Sequence, residues 1–144
     1  MSYEQLKLEN QICFPVYAAS RLIIRQYQPY LSKLGITYAQ YLVLMVLWES
    51  DGITVNEITQ RLILNTNTIT PILKRMAAQG LITRQRSERD ERKVIIKLTA
   101  RGRELEDAAA TVPAQLVSGL APEGVSVEEV QRLKDQLNAL VKYL

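Results

Sequence analysis

The sequence predicts a mainly α-helical fold with a small β-hairpin, and three observations lead to that prediction. Apolar residues recur at helical spacing along most of the 144-residue chain. Three helix starts carry a Ser or Thr followed three residues later by Glu or Gln, at Thr37, Thr54 and Ser126. Between Lys93 and Leu98 the apolar side chains change to the every-second-residue pattern of a half-buried strand.

The first two predicted helices have clear signals at their ends. Apolar residues at helical spacing run through Leu8–Leu34, but Pro15 and Pro29 fall inside this stretch. We therefore expect the first helix to be kinked or to begin later than the pattern suggests. Thr37 caps a second helix, which Asp51-Gly52 stops.

Two shorter helices follow, separated by a polar turn. The sequence predicts a helix over Val55–Leu62, a turn at Asn65–Thr68, and a further helix over about Asn67–Gln79. Pro71 is acceptable there if it lies in the first turn, where backbone N–H groups have no helical partner. Gly80 ends the helix in the left-handed cap position.

The remaining elements are a hairpin and two helices. Leu81–Arg86 is the expected partner of the strand that ends at Leu98. Thr99 and Gly102 open a long helix that we expect to reach about Ser118. A loop at Pro122–Val125 then precedes the last helix, which begins after Ser126.

This order of elements indicates a winged helix-turn-helix in a single domain over residues 1–144. Two consecutive short helices followed by a hairpin give the winged region, residues 37–99. The first and last helices carry apolar faces that a small monomer leaves uncovered. We therefore expect residues 1–36 and 100–144 to form the dimerisation helices of a homodimer.

Composition excludes several function classes. No apolar run approaches the roughly 20 residues of a membrane span, and the acidic N-terminus does not resemble a signal peptide, so we expect a cytoplasmic protein without membrane partners. One cysteine and no histidine make a zinc site or a Ser-His-Asp triad implausible. There is no Gly-rich phosphate loop. We therefore expect neither an enzyme nor a bound cofactor or metal.

Positive charge is concentrated in one segment. Residues 74–103 hold ten Lys/Arg and three acids, a balance of +7, so the rest of the chain carries −4 to reach the net charge of +3. Such an asymmetry is typical of a nucleic-acid-binding surface. An ordinary solvated hairpin is the alternative that charge alone leaves open.

The helix before the hairpin has side chains suited to reading double-stranded DNA. A recognition helix presents its N-terminal residues to base edges in the major groove. Asn can bond adenine, and Thr can contact phosphates or a thymine methyl group. N-capping is the alternative role for the same residue types. The candidates for base and phosphate contact are Thr66, Asn67, Thr68, Thr70, Lys74 and Arg75.

The hairpin tip, Ser87 to Arg92, is rich in arginine and has no Gly or Pro. It needs internal bonding to hold a shape, which Asp90 paired with Arg92 or a backbone amide could supply. An arginine there fits the narrow, electronegative minor groove, and we expect Arg92 or Arg89 to fill that role. The DNA-binding candidates in the hairpin are Arg84, Arg86, Arg89, Asp90 and Arg92.

Cys13 is the remaining candidate functional residue. It lies near the predicted start of the first helix, where unpaired N–H groups favour an anion such as a thiolate. Tyr17 follows one helical turn later. A lone cysteine can equally be a small buried hydrophobic residue, and tyrosines at helical spacing can belong to the core.

The hairpin and the helix after it resemble the multiple antibiotic resistance regulator (MarR) family. The resemblance rests on Asp90-Glu91-Arg92-Lys93, Val94 and Leu98-Thr99-Ala100-Arg101-Gly102, and it extends over nearly the whole chain. It implies a homodimeric winged-helix repressor or activator that binds pseudo-palindromic DNA through a dimer interface of terminal helices. We expect a repressor.

The N-terminal half resembles the organic hydroperoxide resistance regulators of that family. The resemblance is carried by Leu8-Glu9-Asn10-Gln11, Cys13-Phe14 and Ile36-Thr37-Tyr38 with Gln40-Tyr41. It implies that Cys13 senses organic hydroperoxide and that Tyr17, Tyr27 and Tyr38 surround its thiolate. Peroxide would oxidise the thiolate to a sulfenic acid, which persists, condenses with a cellular low-molecular-weight thiol or over-oxidises. Each outcome would break the tyrosine contacts and release DNA.

The recognition helix departs from that subgroup, because Asn65, Thr66 and Asn67 stand where it has an acid, a small residue and glycine. Base contacts are therefore not carried over. Two other functions remain open. One is a regulator that responds to a small phenolic ligand with Cys13 inert. The other is a thiol peroxidase, which would need a resolving thiol from outside this chain.

Overall fold

Seven α-helices and three short strands make up residues 3–120 and 125–144, which are those that the computed structural model describes. The elements in chain order are α1 Cys13–Leu34, α2 Tyr38–Glu49, β1 Ile53–Thr54, α3 Val55–Leu62, α4 Thr66–Ala78, β2 Ile82–Arg86, β3 Val94–Leu98, α5 Ala100–Ala109, α6 Val112–Leu120 and α7 Val127–Tyr143. The mainly helical fold with a small sheet is as predicted.

Helix α1 begins later than its apolar pattern, which is one of the two predicted outcomes. The segments Glu4–Leu6 and Leu8–Asn10 form separate 3₁₀ turns. Pro15 is then the third residue of α1, where its missing N–H costs no helical hydrogen bond. Pro29 lies inside the helix, which continues to Leu34.

The predicted capping boxes are present at α2 and α3. The side chain of Thr37 accepts the N–H of Gln40, whose side chain accepts the N–H of Thr37 in return. Thr54 and Glu57 make the same reciprocal pair at α3. Each box satisfies two N–H groups that the helix itself leaves unpaired.

The turn between α3 and α4 differs from the prediction. Ile63 ends α3 with a φ of 54°, which is unusual for a β-branched residue. Helix α4 begins at Thr66, and of the predicted polar turn only Asn65 lies outside it, because its side chain accepts the N–H of Thr68 and caps the helix. Pro71 consequently lies in the second turn of α4, not in the first.

The wing is three-stranded, although the sequence predicted two strands. The strand order is β1-β3-β2, and both pairings are antiparallel. Strand β1 has two residues and pairs Ile53 with Ile96. A strand this short shows no alternation in the sequence. The predicted hairpin pairs Ile82 with Leu98 and Arg86 with Val94.

The long helix predicted from Thr99 to Ser118 is two helices. Helix α5 ends at Ala109, and α6 begins at Val112. Pro113 explains the break, because its ring clashes with the carbonyl four residues earlier in a continuous helix. The loop predicted at 122–125 lies, apart from Val125, outside the described residues. A capping box between Ser126 and Glu129 opens α7, as predicted.

The described residues divide into two compact units, Met1–Val112 and Pro113–Leu144. In the first unit, a continuous apolar core joins α1 to α5 and the sheet. Its fully buried members with the largest side chains are Leu31, Leu44, Leu47, Ile58, Ile69, Leu73, Met76, Leu81 and Ile96. This core fixes α4 and the wing as one body.

Polar contacts join the end of α2 to β3 and α5. The Asp51 carboxylate accepts the N–H of Leu98 at 2.8 Å and pairs with Arg103 at 3.3 Å. The Trp48 indole N–H donates to the carbonyl of Gly102 at 3.0 Å. These bonds place the start of α5 directly against the base of the wing.

In the part of the chain that is described, no single helix is both long and apolar enough to cross a membrane. Helices α1 and α2 meet that test only as a pair bent by 71°.

Candidate nucleic-acid interface and thiol site

The first turn of α4 presents an exposed polar surface. Asn65 serves as the cap, and its Oδ1 also accepts the hydroxyl of Thr68 at 3.0 Å, so both side chains have the local role that capping predicts. Thr66 and Asn67 are exposed, while Thr70 is half-buried. Lys74 and Arg75, one turn later, are exposed as well.

The tip of the wing is closed by its own hydrogen bonds. The N–H of Ser87 donates to the carbonyl of Lys93 at 2.8 Å, and the N–H of Lys93 donates to the carbonyl of Asp90 at 2.9 Å. Arg86 donates from Nη1 to the carbonyl of Glu91 at 3.1 Å. These bonds give a tip without glycine or proline a defined shape.

The expected pairing of Asp90 with Arg92 is present. Asp90 Oδ1 accepts both the backbone N–H and the Nε–H of Arg92 at 3.1 Å. The Arg92 side chain and then its backbone N–H lower the pKa of the Asp90 carboxyl from its usual 3.8. The Arg92 side chain is nevertheless 91% exposed, so Asp90 orients it while leaving it accessible.

A groove of about 430 Å³ lies between the wing and the N-terminal ends of α3 and α4. It brings Thr66 and Thr70 together with Arg84 and Arg92. It also contains residues that were not among the predicted contacts: Thr54, Val55, Asn56, Glu57, Lys93 and Val94. Of these, Lys93 could have been found from the basic run; Asn56 carried no sequence signal.

Arg86 and Arg89 are not part of this groove. They line a separate concavity of about 630 Å³ together with Gln85, Ser87 and Lys97. The structure thus divides the predicted arginines into two sets. Of the arginines predicted in the wing, Arg84 and Arg92 lie beside the recognition helix, and Arg86 and Arg89 lie elsewhere on the wing.

Cys13 is the first residue of α1 and is exposed. The N-cap residue, Ile12, makes no side-chain hydrogen bond to the helix. Its side chain therefore leaves the N–H groups of the first turn uncapped. The partial positive charge of a helix start is a favourable environment for an anion. Within one chain, Cys13 is therefore not the buried hydrophobic residue that the alternative describes.

Three tyrosines form a cluster at the other end of α1. The ring centroid of Tyr27 lies 4.9 Å from that of Tyr38 and 5.9 Å from that of Tyr41. Burial is the main cause that raises the pKa of all three phenols above 10.0, and neighbouring tyrosines add to the shift for Tyr27 and Tyr41. The phenols therefore stay protonated and can act as hydrogen-bond donors at neutral pH.

Tyr27 and Cys13 of one chain are far apart. Both lie on α1, and their separation of 14 residues corresponds to about 21 Å along the helix axis. Tyr17 is one turn from Cys13, is 61% exposed, and has the Arg21 guanidinium 5.3 Å above its ring. Within one chain, only Tyr17 of the predicted tyrosines is near the thiol.

Comparisons with known proteins identify the family to which this chain is similar. Residues 25–109 match the family model described as Transcriptional regulator SarA/Rot. The organic hydroperoxide resistance transcriptional regulator of Bacillus subtilis (strain 168) is 47% identical over 142 residues, which is 99% of this chain and 95% of that protein.

Solved structures of DNA-bound regulators are also similar to this chain. Reduced AbfR bound to DNA has a TM-score of 0.80 at 38% identity, over 99% of this chain and 98% of that one. Overoxidized AbfR bound to DNA has a TM-score of 0.77 over the same shares; AbfR has also been solved from Staphylococcus epidermidis. A mutant MarR from E. coli, complexed with operator DNA, has a TM-score of 0.78 at 28% identity, over 87% of this chain and 89% of that one. The chain therefore belongs to the MarR family of winged-helix transcription regulators, among its organic hydroperoxide resistance regulators.

Proposed function

We propose that this protein is a DNA-binding transcription repressor that senses organic hydroperoxide through Cys13 and releases its operator when the thiol is oxidised. The observation that carries the proposal is the exposed Cys13 at the start of α1, in a chain that also has a basic groove beside its recognition helix. The similarity to an organic hydroperoxide resistance regulator supports the same function.

The chemistry needs only the thiolate and the peroxide. The Cys13 sulfur attacks the terminal oxygen of the hydroperoxide, an S–O bond forms, and the O–O bond breaks. The sulfur loses two electrons to become a sulfenic acid, and the alkoxide that leaves takes a proton to become an alcohol. No second cysteine exists in the chain. The sulfenic acid therefore persists, condenses with a low-molecular-weight thiol, or is oxidised further. We assign the protein one oxidation per thiol as a signal, not enzymatic turnover.

We infer that Tyr27 and Tyr38 of one subunit serve the Cys13 of the other. The distance of about 21 Å along α1 separates Cys13 from Tyr27 of its own chain, and the ring of Tyr38 lies against that of Tyr27. An antiparallel arrangement of two α1 helices would place one tyrosine cluster beside the partner's thiol. The protonated phenols would then donate hydrogen bonds to the thiolate.

Exposed apolar faces support a homodimer. Helix α1 exposes apolar side chains on more than one side, and α7 exposes an apolar face. Their large apolar residues with at least 37% exposure are Phe14, Val16, Tyr17, Leu22, Ile23, Ile24, Val127, Val130, Leu133, Leu137, Leu140, Val141 and Tyr143. Contiguous apolar surface of this kind marks an interaction site. We therefore propose residues 1–36 and 100–144 as the dimerisation region and residues 37–99 as the DNA-binding region.

In the proposed DNA complex, α4 enters the major groove and Arg92 enters the adjacent minor groove. Thr66, Asn67 and Thr70 would face the bases, while Lys74 and Arg75 suit phosphates. Two such surfaces in a dimer fit a pseudo-palindromic operator with half-sites roughly 34–36 Å apart. Binding to chromosomal DNA makes the cytoplasm the proposed place of action.

Cys13→Ser tests the sensing function directly. Operator affinity is measured by fluorescence anisotropy before and after treatment with cumene hydroperoxide. Wild-type protein should lose the operator, and the variant should keep it. The variant retains all three methionines, so it also controls for methionine oxidation. Operator release from the variant as readily as from the wild type would overturn the proposal.

A further inference from the structure

Gln40 is an unusual residue for the core of this protein. Among the described residues, the buried polar side chains are Gln40, which is 2% exposed, and Thr59. Burial of an amide costs free energy unless its polar atoms find partners. The carbonyl oxygen of the Gln40 side chain accepts the backbone N–H of Thr37 at 3.1 Å, and its Nε2 donates to Oε1 of Gln79 at 3.0 Å. Both ends of the amide are therefore fixed.

Gln79 lies at the C-terminal end of the recognition helix. It is the C-cap of α4, and its N–H donates to the carbonyl of Arg75 at 3.0 Å. Its own carbonyl accepts from Nη1 of Arg101 at 2.9 Å. Gly80 follows with a φ of 74°. The Gln40–Gln79 bond thus connects two helices at residues 39 apart in sequence, the first turn of α2 and the end of α4.

The first turn of α2 also carries a tyrosine of the proposed sensor. Tyr38 directly follows Thr37, and its ring packs against that of Tyr27. The same Gln40 side chain that bonds Gln79 also completes the cap at Thr37. A displacement of Tyr38 that shifts the start of α2 therefore moves the cap, and movement of the cap changes the geometry of the bond to Gln79.

Apolar packing between α2 and α4 does not provide a contact as directional as the Gln40–Gln79 hydrogen bond. The core residues between α2 and α4, such as Leu44 and Leu73, attract each other without a strong directional preference. A hydrogen bond weakens steeply when its distance or angle changes. The amide pair is therefore the contact between these helices that is most sensitive to a small shift.

We propose that Gln40 and Gln79 are positioning residues that link the Tyr38 end of α2 to the recognition helix. The proposal rests on the proposed function, because it assigns the pair a part in the same switch. With Cys13 reduced, the intact bond holds α4 in the orientation that binds the operator. Oxidation at the sensor displaces Tyr38, breaks the bond, and frees α4 from that orientation.

The test replaces Gln79, which is only half-buried. Gln79→Met removes the acceptor but keeps the length of the side chain, and Gln79→Ala removes it without adding bulk. Gln79→Glu retains an oxygen that can accept from Gln40. Gln60→Met is the matched control, since Gln60 is an exposed glutamine on α3. Operator dissociation constants are measured for reduced protein and for protein treated with cumene hydroperoxide, and a dimedone probe follows sulfenic acid formation at Cys13.

We expect the dissociation constant of the reduced protein to rise about three- to tenfold in Gln79→Met and Gln79→Ala, as for the loss of one hydrogen bond. The oxidised proteins should bind as weakly as oxidised wild type, because the bond is already broken there. The oxidised-to-reduced ratio then falls by the same factor. Dimedone labelling should be unchanged, and Gln60→Met should behave as wild type. The added charge of Gln79→Glu weakens DNA binding in both redox states, so this variant should keep the wild-type oxidised-to-reduced ratio.

Two results would overturn the link. One is an unchanged ratio in both Gln79→Met and Gln79→Ala. The other is an equal fall of the oxidised-to-reduced ratio in Gln79→Glu, which would show that any change at this helix end has the same effect. Failure of the proposed function looks different, because wild-type protein would then keep its operator after oxidation. In that case the affinities of the reduced proteins decide, and the link stands only if Gln79→Met weakens operator binding more than Gln79→Glu does.

Discussion

Arg92 is at once held in place and accessible. Its backbone and Nε–H groups bond Asp90, yet its side chain is 91% exposed beside the groove that contains Thr66. An arginine restrained in this way loses less conformational entropy when it inserts into a narrow minor groove. Asp90 restrains Arg92 and not Arg89, which lies on the other concavity of the wing.

We predict that Arg92→Ala weakens operator binding and reduces the slope of log affinity against log salt by about one, as for the loss of one phosphate-proximal cation. Arg89→Ala serves as the comparison and should have the smaller effect. Fluorescence anisotropy over a salt series measures both quantities. Unchanged affinity and slope in both variants would contradict the assignment of the wing tip to DNA.

A second prediction at this scale concerns the Tyr38 phenol. Burial raises its pKa above 10.0 in the folded state, so the folded protein holds this proton more tightly than the unfolded chain does. The resulting stability is fully present below pH 10 and is lost as the pH rises through the folded-state pKa.

Tyr38→Phe should therefore flatten the alkaline decline in the free energy of unfolding, by at most about 1.4 kcal/mol per pH unit for one proton. Urea unfolding between about pH 8 and pH 11, a range that brackets the ordinary tyrosine pKa, measures this slope. Tyr143→Phe is the matched control, because Tyr143 is 88% exposed. Parallel declines in wild type and Tyr38→Phe would contradict the prediction.

At the scale of elements, the sequence predicted what local chemistry determines. The caps at Thr37, Thr54 and Ser126 were identified correctly because their partners lie three residues away. The left-handed Gly80 followed from the same kind of signal. Each of these features depends on a few neighbouring residues, so a single sequence contains the information.

Other elements depend on contacts that are distant in sequence. Strand β1 exists because Ile53 meets Ile96 of β3, and two residues give no periodic pattern. The left-handed turn at Ile63 had no glycine or asparagine to indicate it. The pairing of Gln40 with Gln79 was equally invisible before α2 and α4 were placed side by side. In the candidate site, the ion pair between Asp90 and Arg92 was predictable from the sequence. The placement of Arg84 and Arg86 in two different concavities was not.

The junction between the wing and α5 gives a prediction for an element boundary. A Cβ atom on Gly102 would lie 2.2 Å from the carbonyl oxygen of Leu81 and 3.1 Å from Cδ2 of Leu98. Gly102→Ala should therefore destabilise the protein by about 1–3 kcal/mol, although alanine is favoured over glycine in a helix by about 1 kcal/mol.

Thermal or urea unfolding measures this change. Gly119→Ala is the control, because Gly119 is an exposed glycine of α6 and should show only the favourable helix propensity. Equal or greater stability of Gly102→Ala would show that the backbone of Leu81 can move away at little cost. The close packing of α5 against the wing would then not be a constraint.

At the scale of the whole molecule, charge and apolar surface occupy different parts of the chain. The balance of +7 falls within residues 74–103, and the remainder carries −4. The basic segment attracts DNA and orients the approaching protein. The exposed apolar faces lie instead on α1 and α7, outside the proposed DNA-binding region. One part of the chain therefore suits DNA, and others suit a second subunit.

We predict that Leu133→Asp weakens self-association, since Leu133 is 53% exposed on the apolar face of α7 and a carboxylate is costly to bury in a dimer interface. Sedimentation velocity over a concentration series measures the dissociation constant of the dimer. Asn138→Asp adds the same charge to the same helix away from the stripe of Leu133 and Leu137. Equal self-association of Leu133→Asp and wild type would remove α7 from the proposed interface.

The distance between Cys13 and Tyr27 along α1 has a genetic consequence. If the other subunit's tyrosines bond each thiolate, a protein that lacks Cys13 and a protein that lacks Tyr27 each fail to respond to peroxide. In a cell that expresses both alleles, mixed dimers form. Such a dimer has one defective sensor that lacks both groups and one sensor with an intact thiol and intact phenols. Peroxide should then release the operator from mixed dimers, while the two mutant homodimers in the same cell keep it. Two alleles that fail alone should therefore restore induction in part when expressed together, a case of intragenic complementation.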